Sequence, residues 1–155
     1  MPNSSSVKPN FTKLNNKEDI EHGTILAPKF AADGTIPAIT TDAKNGEVLM
    51  FAYMNAEALA LSIETSIAHY WSRSRQKLWR KGETSGNEQK IQDICVDCDQ
   101  DVILLKVLVA GHGASCHNGY KSCFYRSILA LGSSSEDTKL TFHDNELLFD
   151  PKDVY

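Results

Sequence analysis

Residues 102–110 (VILLKVLVA) are an almost unbroken apolar run with one lysine in it. A run so short and so apolar reads as a buried strand, and the rest of the chain has to cover it. The chain has 155 residues, enough for one domain with a core that needs no disulfide staples. Residues 89–97 (QKIQDICVD) alternate just before the run, with Ile94 and Val96 on one parity and polar groups on the other. Residues 47–53 (EVLMFAY) read as another buried strand. Asn55 then offers a helix N-cap, and AEALALSIET follows with apolar Ala58, Leu59, Leu61 and Ile63, which predicts a short helix over 56–65. Residues 68–74 and 78–82 flank a polar turn and read as a β-hairpin. Residues 123–131 (CFYRSILAL) are strand or helix, and 140–149 (LTFHDNELLF) suggest a closing hairpin. The sum is an α+β domain, a mostly antiparallel β-sheet with few short helices. Residues 1–20 are expected to be a flexible leader, 21–132 the main domain, and 133–155 a C-terminal extension packed on that domain.

Composition narrows the function. The net charge is −4, so the chain as a whole is no generic nucleic-acid binder, and any basic function is local. No stretch is long and apolar enough to span a membrane. The polar start lacks the apolar centre of a signal peptide and is not arginine-rich, which leaves a cytoplasmic location as the expectation. Four cysteines in a reducing compartment are thiols or metal ligands before they are disulfides.

The densest chemical signal is Asp97-Cys98-Asp99-Gln100-Asp101. Three carboxylates so close repel one another, and no cation lies within the segment. A hard ion such as Mg²⁺ or Ca²⁺ is their natural partner. An EF-hand loop beginning at Asp97 is excluded, because it needs glycine where Val102 stands and glutamate where Leu108 stands. On a straight strand the outer aspartates would lie roughly 13 Å apart, at about 3.3 Å per residue. So either the segment bends, or a phosphate and waters bridge the ligands. A solvated acidic loop is the plain alternative.

Cys95, Cys98, Cys116 and Cys123 give the second signal. Cys95 and Cys98 have the spacing of a zinc knuckle or a redox dithiol, but no turn-forming residue separates them and the flanks read as strand. On a strand, residues three apart face opposite sides. Cys98 is then the better ligand, and Cys95 a buried thiol acting as a small apolar residue. Cys116 and Cys123 lie on a glycine-rich loop whose freedom lets two thiolates converge. Three thiolates leave a fourth zinc position open for water, as catalysis requires, whereas a closed structural site would use all four cysteines.

The third signal is basic. No acidic residue occurs from Thr65 to Gly82, while Arg73, Arg75, Lys77, Arg80 and Lys81 all do. Trp71 and Trp79 interleave with them and can stack on a base, and Thr84 and Ser85 in the KGETSGN loop suit a phosphate. The competing reading is a solvated hairpin face with both tryptophans in the core. His117 adjoins a candidate zinc ligand and can serve as a base on activated water, with His69 as the second choice.

Five segments taken in order, LMFAYMNAEAL (49–59), HYWSRSR (69–75), LWRKGETSGN (78–87), DCDQD (97–101) and the CHNGYKSCF stretch (116–124), resemble the phosphoribosyl-AMP cyclohydrolases over about half of the chain. The resemblance implies a metal-dependent hydrolase that opens the adenine ring of a small nucleotide in histidine biosynthesis. It implies Zn²⁺ on Cys98, Cys116 and Cys123, and Mg²⁺ on Asp97, Asp99 and Asp101. It also implies an obligate homodimer with the zinc site shared between its chains. The substrate would meet Trp71, Arg73, Arg75, Lys81, Thr84 and Ser85, with no nucleic-acid or membrane partner. Two other readings stay open on the residues alone. A non-catalytic zinc module binding nucleotide or nucleic acid would use Cys95 as well, and a thiol redox protein would cycle Cys95 with Cys98.

Overall fold

The computed structural model describes residues 9–136 and 138–155; the first eight residues of the expected leader lie outside it. Helix α1 (Lys17–His22) opens the described chain, capped by Asn16, whose side chain accepts from the backbone N–H of Glu18. Strand β1 (Ile36–Asp42) and strand β2 (Val48–Met54) form an antiparallel hairpin, and α2 (Ala56–Thr65) follows. Strands β3 (His69–Ser72) and β4 (Lys77–Arg80) are a second hairpin. Strands β5 (Gln89–Val96) and β6 (Ile103–Val109) pair antiparallel, and short strands β7 (Arg126–Ile128) and β8 (Leu140–Phe142) close the topology.

The main sheet has the order β2-β1-β6-β5. Its one parallel pair joins β1 to β6, with Ala38 opposite Ile103. All the other strand pairs are antiparallel, so the class is α+β with mostly antiparallel pairing. Strand β1 (IPAITTD) sits at the centre, although its proline and threonines disguise it in the sequence. Pro37 is tolerated because pairing with β6 begins only at Ala38, so no ladder bond to that strand is lost. Ile103, Leu105 and Val107 of the apolar run are fully buried, each contributing about 1.5–3 kcal/mol by leaving water.

Helix α2 starts and stops where local chemistry dictates. Asn55 accepts from the Ala58 N–H at 2.8 Å, and Ser66 ends the helix in the left-handed region. Its Ala58, Leu59 and Ser62 are buried. Ser62 Oγ donates to the Ala58 carbonyl and accepts from the His69 N–H at 2.9 Å, which ties α2 to β3.

Two expectations need correction. The closing hairpin within 140–149 does not form. Only Leu140–Phe142 is a strand, and its partner is Arg126–Ile128, about twelve residues upstream by pairing rather than by local turn chemistry. The strand parity used for Cys95 and Cys98 also fails, because β5 ends at Val96 and Cys98 lies in a turn. Within β5 a bulge at Gln92 shifts the register, so that Ile91 and then Ile94 and Val96 pair with Val107, Leu105 and Ile103.

Residues 9–22 are not isolated from the body: Phe11 packs against the core cluster. At the other end, Phe149 is buried, its ring stacks on His112 at 5.2 Å, and the Leu148 N–H donates to the Gly119 carbonyl at 2.8 Å.

Candidate active site

The segment 97–101 is a tight turn, not a strand. The Gln100 N–H donates to the Asp97 carbonyl at 3.1 Å, and Asp97 Oδ1 accepts from the N–H groups of Asp101 and Val102 at 2.9 and 3.0 Å. The bend brings oxygens of Asp97, Asp99 and Asp101 all within 4.8 Å of one another. Of the two ways to reconcile three carboxylates with one ion, the chain takes the bend.

Electrostatics follow from this crowding. Partial burial opposes ionisation of Asp97, but hydrogen bonds from Asp101 and from the Val102 and Asp101 backbone outweigh it and hold its carboxyl below the usual range. Asp101 takes the opposite part: its hydrogen bonds to Asp97 and Asp99 and their negative charge push it up to about 6. A trio of hard oxygens that hold back a proton by mutual repulsion is a donor set fitted to a divalent cation such as Mg²⁺.

The thiols assemble differently. The loop 115–121 is closed by the Ser115 N–H to the Lys121 carbonyl at 3.0 Å and the Cys116 N–H to the Tyr120 carbonyl at 3.2 Å. Cys123 is pinned beside β2, where its N–H donates to the Leu49 carbonyl at 2.8 Å. The two thiols are close enough to compete for a proton. The Cys123 thiol, the Asn118 backbone N–H and the charges of His117 and Lys81 outweigh burial and lower Cys116 to about 6, and Cys123 is raised in turn. One thiolate held by one thiol is a pair prepared for a soft cation. Cys98 is exposed in the acidic turn, and among the described residues no group of three ligands within 4.8 Å other than the aspartates exists in one chain.

Lys81 belongs with the thiols. Its Nζ donates to the Ser115 carbonyl at 2.5 Å, and burial lowers its pKa while the two cysteines oppose that. Arg73 lies flat on Tyr53 at 3.7 Å, beside Trp71 in an open cleft of about 530 Å³ that Trp79 also lines. Arg75 is exposed at the hairpin tip, its N–H donating to Ser72 Oγ. Trp79 packs on buried Tyr70 at 4.9 Å, so of the two tryptophans it is the one committed to the core. In the next loop Thr84 is exposed and Ser85 accepts from the Asn87 N–H at 3.1 Å. Gly82 makes this loop possible: its φ is +88°, and a Cβ would lie 2.3 Å from the Glu88 nitrogen. His117 is exposed next to Cys116. His69 is buried, and its Nδ1 meets the Ile67 carbonyl at 2.8 Å; a carbonyl only accepts, so Nδ1 carries the proton and Nε2 is the basic atom.

Some polar residues with clear structural work gave no sequence signal. Thr40, Tyr70, Gln89 and Ser115 form a buried chain. Tyr70 donates to Gln89 Oε1 at 2.5 Å, and Gln89 Nε2 reaches Ser115 Oγ at 3.1 Å, one residue before Cys116. Asn87 Oδ1 accepts from the His112 N–H at 2.7 Å and anchors the start of the same loop. A glutamine in an alternating strand reads as solvent-facing, so only the threefold match of partners reveals these roles.

The fold and the site together define an α+β enzyme whose chemistry-bearing groups sit on loops at strand ends: an acidic turn, a thiol pair and a cationic hairpin. Comparison with known proteins gives the particular family. A profile of the phosphoribosyl-AMP cyclohydrolases matches residues 50–125. The phosphoribosyl-AMP cyclohydrolase of Sinorhizobium fredii is 53% identical over 139 residues, covering 90% of each chain. That of Agrobacterium fabrum is 53% identical over 139 residues, 90% of this chain and 91% of its own. That of Brucella canis is 54% identical over 128 residues, 83% and 92% of the two chains. The chain belongs to the phosphoribosyl-AMP cyclohydrolase family.

Proposed function

We propose that the chain hydrolyses phosphoribosyl-AMP in histidine biosynthesis, opening the six-membered ring of its adenine. The observation that carries this reading is identity of 53–54% to enzymes of that name over nearly their whole length. In such a substrate a phosphoribosyl group on a ring nitrogen makes the amidine readily cationic, and the carbon bearing the amino group is electrophilic. Water adds to that carbon, its bond to the substituted nitrogen breaks, and the nitrogen takes up a proton. A carboxamide and a formimino group result, with no atom left over.

Residues of this chain divide the work. Asp97, Asp99 and Asp101 would hold Mg²⁺, and Cys116 and Cys123, with Cys98 from a partner chain, would hold Zn²⁺. Bound there, zinc supplies Lewis-acid activation of water near neutral pH. His117 takes the proton from the attacking water, with His69 Nε2 as the alternative base. Arg73, Arg75 and Lys81 bind phosphate charge, Trp71 offers a face for the base, and Thr84 and Ser85 supply hydroxyls to a phosphate.

A homodimer fits this arrangement. Cys98 opens onto a groove of about 640 Å³ whose apolar wall includes Ile25, Leu26, Ile63 and Val96, all well exposed in the single chain. A second copy covering that wall would bring its thiol pair to Cys98. No described helix is long and apolar enough to cross a membrane. A cytoplasmic enzyme is the reading that suits four free thiols.

The test is a spectrophotometric assay with phosphoribosyl-AMP, run with and without a chelator and followed by metal analysis. Ring opening that stops on chelation and returns with Zn²⁺ and Mg²⁺ supports the reading. No turnover by the metal-loaded protein refutes the substrate, and full turnover after complete metal removal refutes the role of the ions.

A further inference from the structure

Gln100 stands in the middle of the acidic turn but is buried, with only 5% of its surface exposed. Its backbone has a φ of +59°, a conformation that glutamine adopts only when its surroundings impose it. Those surroundings are one segment, residues 20–29. Gln100 Nε2 donates to the carbonyls of Ile20 and Ile25 at 3.0 and 3.2 Å. Its Oε1 accepts from the Ala27 N–H at 2.8 Å, and its own carbonyl accepts from the Lys29 N–H at 2.7 Å. Both amide hydrogens are used, and the bond to Ala27 is buried.

The same residue shapes the turn. Its N–H donates to the Asp97 carbonyl, and the next N–H, that of Asp101, donates to the Asp97 carboxylate. Three carboxylates within 4.8 Å push apart when ionised, so the turn's own hydrogen bonds work against repulsion and a hold from outside the acidic group adds to them. Segment 20–29 supplies that hold.

We propose that segment 20–29 is a positioning element of the acidic turn, acting through Gln100: it keeps the three carboxylates gathered for a divalent cation, and cation binding in turn tightens the segment. The second half follows from the first, because a coupling free energy between two places acts equally in both directions. The proposal rests on the reading of Asp97, Asp99 and Asp101 as cation ligands.

Titration of the full chain with MgCl₂, paired with amide hydrogen exchange, tests it. Gln100→Gly removes the side-chain clamp but supplies the left-handed conformation at no cost, so the backbone of the turn stays accessible. The variant should bind Mg²⁺ about tenfold or more weakly, the range in which outer-shell supports usually act. A merely structural role would lower the melting temperature and leave Mg²⁺ affinity of the folded protein within about twofold of the original. That result overturns the proposal. In the unaltered chain, Mg²⁺ should slow exchange at the Ala27 and Lys29 amides, and exchange there that ignores Mg²⁺ overturns the coupling even if the variant fails to fold. An unaltered chain that binds no Mg²⁺ at all removes the carboxylate reading itself, and the proposal with it.

Discussion

The acidic turn and the thiol pair are built by opposite routes. Asp97, Asp99 and Asp101 are near neighbours in sequence, and a single bend gathers them within 4.8 Å. Cys116 and Cys123 come together through a loop fastened to β2, and Cys98 stays apart in the acidic turn. The first cluster is complete in one chain, while the second is a pair with an open side. The lesson is about cost. Carboxylates gathered by local geometry must be held against their own repulsion, whereas thiols gathered by long-range contacts need a scaffold and, on the reading given above, a partner.

The sharpest break in this contrast is Cys116→Ala. Outer-shell losses alone cost about 10–100-fold in metal affinity or activity, so losing a ligand costs more. Turnover should become undetectable and zinc content should collapse, while circular dichroism remains that of the folded protein. The side chain is small, so the cavity left behind is slight. Undiminished turnover in this variant would leave the thiol pair without a role in catalysis.

Mixing variants sharpens the same point. Cys98→Ala and Cys116→Ala chains should each be inactive. Unfolded together and refolded, half of the dimers are mixed, and each mixed dimer holds one intact site of two, so activity should return to about a quarter of the original level. If the three cysteines served one chain alone, mixing would restore nothing.

The two clusters also differed in how far the residues alone disclosed them. Helix α2 was legible to the residue, because Asn55 caps it and its apolar positions keep helical spacing. The buried run of β6 and the β3–β4 hairpin were legible as elements, with ends one or two residues off. Central strand β1 was not, since Pro37, Thr40 and Thr41 break the apolar pattern and its partner β6 lies sixty-odd residues away in the chain, a parallel pairing with no local signature. The aspartates were recognisable as a set and a bend was one of two ways left open to gather them, but its place was not legible: strand alternation was carried past Val96, where a left-handed Gln100 and the Asp97 carboxylate, accepting from two backbone amides, take over. The thiol pair needed glycine-loop freedom to be foreseen as convergent, while the buried chain from Tyr70 through Gln89 to Ser115 depends on the Gln92 bulge, which alternation cannot reveal.

That buried chain supplies an intermediate effect. Gln89→Leu roughly keeps the volume of the side chain and leaves Ser115 Oγ without its partner in the interior, while the Tyr70 hydroxyl keeps only its bond to Thr40. An unsatisfied buried polar group costs about 1–3 kcal/mol, so denaturant unfolding should show a loss of that order. The loss belongs to the thiol side of the comparison, because Ser115 precedes Cys116. Zinc should leave the variant faster on dilution into chelator, with Mg²⁺ affinity unchanged. A matching fall in Mg²⁺ affinity would show that the two clusters share one support.

The smallest effect concerns pH and the metal-free acidic turn. Asp101 titrates at about 6 in the folded chain against an ordinary 3.8, so folding favours its protonated form. Its contribution to stability is present in full below about 3.8 and is lost as pH rises through about 6. Asp97 has the opposite sign: its carboxyl is lowered, so its contribution is present above the ordinary carboxylate range and is lost as pH falls through its depressed pKa. Of these two aspartates only Asp101 changes between pH 4 and 7. Asp101→Asn should therefore flatten the decline of melting temperature over that window in chelator and raise the value at pH 7 by about 1–2 °C, a modest figure because the group is largely solvated. Mg²⁺ should flatten the same decline in the unaltered chain by neutralising the repulsion, and should do little to the variant. A melting temperature at pH 7 that falls in Asp101→Asn without metal would mean that the three carboxylates support the turn instead of straining it, and the contrast with the thiol pair would then rest on connectivity alone.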